Sequence, residues 1–113
     1  MNTSTTETSI EMHLDMDGRI TSVSPVIEHT IGYHATELVG QPFDSLVHFE
    51  DVPSLKASWL LALAGDIGSH EIRLLGKYGE VHRMRARSRP LFSDGRTIGL
   101  CEVMTDITAP SEN

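Results

Sequence analysis

Apolar and polar residues alternate from Ile10 to Met16, so Ile10, Met12, Leu14 and Met16 share one face. A period of two marks a half-buried strand. Asp17-Gly18 follows, then "RITSV", which predicts a hairpin. The period then changes. "SPVIEHTIGY" has Ser24 placed as a helix N-cap and Pro25 in the first turn, with Val26, Ile27 and Ile31 as its apolar face and Gly32 as its stop. "HATELVGQP" adds a second short helical segment. A longer helix starts at Asp51, as its expected cap. Leu55, Trp59, Ala62 and Leu63 form its stripe, and Gly65 and Gly68 close it.

Alternation returns in "SHEIRLL", where His70, Ile72 and Leu74 oppose Glu71 and Arg73. "KYGE" turns the chain into "EVHRMRARSRP", with Pro90 expected to end or bulge that strand. "SDG" turns it again into "TIGLCEVMTDI". Two strands, several helices and three further strands predict an α+β domain: a five-stranded antiparallel sheet with helices on one face. The expected organisation is a disordered lead over 1–9, the domain over 10–108 and a linker stub over 109–113.

At 113 residues the chain forms one domain able to hold a core without disulfides or metal. Its single cysteine, Cys101, fits a reducing, cytoplasmic setting. No apolar run reaches the ~18 residues of a membrane span, and the N-terminus does not read as a signal peptide. Nine Lys and Arg stand against sixteen Asp and Glu, a net charge of −7. That balance argues against direct nucleic-acid binding. It bears on Arg83, Arg85, Arg87 and Arg89, which occupy every second position. They read as the outer face of a strand. There they are either solvated, with stems covering the sheet, or, at Arg83, Arg85 and Arg87, an interaction surface for an acidic partner.

The order of elements resembles the PAS sensory domain family, and local sequence agrees over residues 10–108. "DGRITSVSP" is similar to the family's first hairpin and helix entry. Gly32, Tyr33, Glu37, Leu38 and Gly40 follow its Gly-Tyr, Glu-Leu, Gly pattern. "VHFEDV" matches a His-Pro-Asp-Asp segment in outline, with Phe49 and Glu50 as departures. "EIRLLGKYGEVHRM" resembles the following hairpin. Asp106, Ile107 and Thr108 match the triplet that joins such domains to a downstream signalling helix.

The resemblance implies a sensor rather than an enzyme. A small ligand between sheet and helices shifts an equilibrium that is passed to a partner. The implied context is a signalling protein such as a histidine kinase, a cyclic-dinucleotide enzyme or a transcription regulator, with a homodimer expected. Any catalysis would belong to an output domain. The flavin subgroup needs a cysteine just after the short helices, and "PFDSLVHFED" has none; flavin is not expected. The haem subgroup uses a histidine on the long helix, which also has none; haem is not expected. His13, His29, His34, His48, His70 and His82 show no metal-ligand spacing. A small organic ligand remains the candidate occupant. The alternative is a protein-interaction or dimerisation module without a ligand.

The expected pocket lining is Leu55, Trp59 and Leu63 from the helix; His70, Ile72 and Leu74; Met84, Ala86 and Ser88; and Leu100, Glu102 and Met104. The family's spacing back from Asp106 points Ile98 inward as well. Glu102 is the anomaly, because a buried carboxylate is costly unless paired. Two readings stay open. A bulge at Pro90 turns it outward toward an arginine, or it forms a polar hook with His70 and Ser88.

Overall fold

A computed structural model describes residues 9–108. The proposed lead over 1–9, apart from Ser9, and the stub over 109–113 lie outside them. Five strands form one antiparallel sheet in the order β2-β1-β5-β4-β3. They are β1 (Ser9–Asp15), β2 (Ile20–Val23), β3 (Ser69–Leu75), β4 (Val81–Ser93) and β5 (Arg96–Asp106). Between β2 and β3 lie α1 (Ile27–Ile31), α2 (Ala35–Leu38), two 3-10 turns (Phe43–Leu46 and Phe49–Asp51) and α3 (Val52–Leu63).

The alternation sets the faces. Ile10, Met12, Leu14, Ile72, Leu74, Met84, Ala86, Leu100 and Met104 are buried, and so are Leu55 and Ala62 of α3. Burying this apolar surface drives α3 onto the sheet. Gly32 ends α1 in the left-handed region at φ 86°. Asp94 (φ 53°) and Gly95 (φ 77°) form the two-residue turn between β4 and β5, a conformation in which both central residues take positive φ.

Several expectations need correction. Met16 lies beyond β1 and is exposed, because the turn has already begun. Ser24 does not cap α1. Its Oγ accepts the Glu11 N–H at 3.0 Å, and the helix begins after Val26 without a side-chain cap. Asp51 stands at the N-cap of α3, but its carboxylate turns to Arg73 instead. Arg73 therefore leaves the outer row and folds over the sheet edge. Pro90 does not end β4. It pairs with Leu100, and the irregularity falls later, between Leu91 and Phe92. Ile98 is exposed, because it is the unpaired residue where the register shifts from Leu91↔Gly99 to Phe92↔Thr97.

Candidate functional site

The late irregularity in β4 leaves the register at Ser88 and Glu102 undisturbed, and the two residues pair directly. Glu102 therefore points inward and is fully buried. The reading that turned it outward to an arginine is overturned. Ser88 Oγ donates to Glu102 Oε2 at 2.6 Å, and Trp59 Nε1 donates to the same oxygen at 2.6 Å. Glu102 Oε1 is buried and has no hydrogen-bond partner among the described residues. Burial pushes this carboxyl up to about 7, against the two hydrogen bonds, which favour the ionised form. It is thus poised to hold or lose a proton near neutrality.

Trp59 is partly buried and packs against two neighbours. Its ring lies 6.3 Å from that of Phe43. On another side it meets Gly18, where even a β-carbon would lie 3.1 Å from the ring. Gly18, at φ +80°, serves both the turn and this close approach.

The expected lining divides into three groups. His70 and Ser88 share a cleft of about 140 Å³ with Ser58, Leu61, Asp66 and Ser69. His70 is half-buried, which pushes its imidazole below its usual range, and its Nε2 lies 3.4 Å from Ser58 Oγ. Trp59, Leu63 and Leu100 line a second hollow of about 300 Å³ with Asp15, Met16 and Lys56. Helical spacing puts Ser58 and Leu61 on one flank of α3 and Lys56, Leu60 and Leu63 on the other. Leu55, Ile72, Leu74, Met84, Ala86 and Met104 line neither space; they fill the core. The hook thus consists of Glu102, Ser88 and Trp59. His70 stands beside it, and no hydrogen bond joins it to Glu102.

On the sheet's outer face Arg83, Arg85 and Arg87 are exposed. Glu71 receives Arg83 Nη2 at 3.0 Å and lies 3.5 Å from Arg85 Nη2. The row is partly neutralised from within the sheet.

Two arrangements escaped the sequence reading. Arg73 donates through its backbone N–H, Nε and Nη2 to Asp51 at 2.8, 3.0 and 2.7 Å, holding that carboxyl below its usual range. The Asp51 position was visible as a helix start; its partner, 22 residues on, was not. The second lies at the chain exit. Ile107 N–H donates to Arg83 O, Arg83 N–H to Thr108 Oγ1, and Thr108 N–H to Asp106 Oδ1.

The profile of the PAS fold matches residues 12–112. A crystal structure of the PAS domain of a protein from Colwellia psychrerythraea superposes with a TM-score of 0.82 at 22% identity, covering 90% of this chain and 88% of that one. The N-terminal domain of a diguanylate cyclase with PAS/PAC sensor from Marinobacter aquaeolei gives 0.74 at 18% identity, covering 88% and 95%. No curated protein sequence matches. With the profile spanning nearly all described residues, the chain belongs to the PAS-fold family.

Proposed function

We propose that this chain is the sensory input module of a signal-transduction protein, and that it holds a small organic ligand beside α3 with Glu102 as its polar anchor. One observation carries this reading: Glu102 Oε1 is fully buried and unpartnered. A buried polar atom without a partner costs about 1–3 kcal/mol or more. A ligand amine, amide or hydroxyl would recover that loss. The ligand enters from the cleft at His70 and Ser88. That cleft is small beside the roughly 300–1,000 Å³ of ordinary ligand sites, so the ligand is compact or displaces Trp59. Binding that competes with Trp59 for Glu102 supplies the differential affinity a switch needs.

The partner in this reading is an output domain, of a histidine kinase, a cyclic-dinucleotide enzyme or a transcription regulator. The Marinobacter neighbour offers a precedent for the second. A homodimer in the cytoplasm completes the proposal. No helix among the described residues is long and apolar enough to cross a membrane.

A second reading, an interaction module with no ligand, draws on the filled core: seven of the twelve expected lining residues belong to the buried hydrophobic cluster. Thermal-shift screening with small amines and amides, alongside native mass spectrometry, separates the two. The sensor reading expects a stabilising ligand whose shift disappears in Glu102→Ala while the unliganded fold survives. An equal shift in that variant would overturn it.

A further inference from the structure

The outer face of the sheet carries a second polar constellation. Cys101 on β5 pairs directly with His13 on β1, and Glu11 lies two residues along the same face of β1. The donor atoms of Glu11, His13 and Cys101 all lie within 4.8 Å of one another. Glu11 Oε2 is 2.9 Å from His13 Nε2. Here we infer that Glu11, His13 and Cys101 form a site for a borderline divalent cation of the zinc and cobalt(II) class. It is independent of the ligand reading above.

The donor set favours this class. Thiolate, imidazole and carboxylate together suit zinc far better than magnesium or calcium, which prefer oxygen alone. Bonds of about 2.0–2.3 Å place tetrahedral donors about 3.3–3.8 Å apart. The exposed Glu11 side chain is free to close the difference. Its backbone is fixed, because the Glu11 N–H donates to Ser24 Oγ at 3.0 Å. A shallow hollow of about 280 Å³, lined by Glu11, His13, Ser22, Val23 and Ser24, opens the site to solvent and leaves room for a water as fourth ligand. Cys101 is buried, with its sulfur within 4.8 Å of the Glu11 and His13 donor atoms. Burial pushes the thiol up, so it carries its proton until a metal arrives. Binding then forms the metal–sulfur bond and releases that proton to solvent. The Glu11 carboxylate and the Cys101 thiolate so created together neutralise the dication.

The chain has one cysteine, so any thiolate–metal signal reports this position alone. Titrating the tag-free chain with Co2+ is expected to give a 1:1 complex with a thiolate-to-cobalt charge-transfer band in the near ultraviolet, discharged by one equivalent of Zn2+. Cys101→Ser should abolish the band. His13→Gln and Glu11→Gln, on the accessible side, should keep the circular dichroism of the fold and weaken Co2+ binding by about tenfold or more. Should Cys101→Ser fail to fold, these two variants decide. Absence of the band in the unmodified chain, or binding unchanged by both variants, would overturn the site.

Discussion

Asp51 and Glu102 both fasten α3 to the sheet, and their surroundings move them in opposite directions. Asp51 sits at the helix start, partly open to solvent, and meets the Arg73 guanidinium through two hydrogen bonds. It stays ionised well into acid. Glu102 sits under the middle of the helix, fully buried, and meets only neutral donors. It holds its proton to about pH 7. The same functional group is a structural clamp where a cation is supplied and a proton-sensitive element where none is. The difference lies in partner charge and water access.

The comparison breaks most severely at Phe43. Its ring supports Trp59 and is fully buried. Phe43→Ala should cost about 3–5 kcal/mol in denaturant unfolding. It should also loosen the Trp59 contact with Glu102, visible as a change in tryptophan emission. An unchanged emission spectrum in the folded variant would deny that coupling.

Next comes pH. The unfolded Glu102 carboxyl ionises near 4.3, whereas the folded one keeps its proton to about 7. Over that interval the folded state binds more protons, so stability should fall as pH rises from about 4.5 to 7 and level off above it. The contribution is on the order of 3 kcal/mol. Glu102→Gln should flatten this window. A slope as steep as that of the unmodified chain would place the titration elsewhere.

Asp51 should give the reverse sign. Its depressed carboxyl contributes stability that is present above about pH 4 and lost as pH falls through its folded value. Arg73→Ala should lower the melting temperature at neutral pH by less than Phe43→Ala does, since the pair is partly solvent-screened. The gap between variant and unmodified chain should close in acid. A gap that persists there would show that Arg73 acts through its stem instead.

Arg85→Glu with Arg87→Glu should have the smallest effect on stability, within about 0.5 kcal/mol, as both side chains are exposed. Its use is to sharpen the outer-face reading. A loss of self-association in sedimentation would mark an interaction surface, and unchanged behaviour a solvated row.

The strands were legible because alternation is a local property. Ile72 and Leu74, or Met84 and Ala86, declare their face from their neighbours alone. Glu102 was legible as an anomaly, and its direction was not. That direction depends on where β4 becomes irregular, which Pro90 suggested wrongly by two positions. Trp59 was read as part of an apolar wall. Its indole N–H bond to a residue 43 positions away depends on how α3 lies across the sheet, which no local pattern encodes. Likewise Glu11 and His13 share a parity that the sequence displays, but Cys101 joins them only through the β1–β5 register. Ser24 and Asp51 illustrate a different limit. Both have cap chemistry, and each side chain instead found a partner supplied by the fold.

Strand β5 carries Glu102 in its interior and ends at Asp106, four residues on. At about 3.3 Å per residue, the buried carboxyl and the chain exit are about 13 Å apart along one continuous rod of backbone. The exit is not free to swivel, since Ile107 and Thr108 are tied to Arg83 at the start of β4. In the sensory reading proposed above, a ligand-driven tug on Glu102 would therefore have a direct mechanical line to whatever follows Thr108. Push along that line would become shear between β5 and β4, with the tie at Arg83 as its fulcrum.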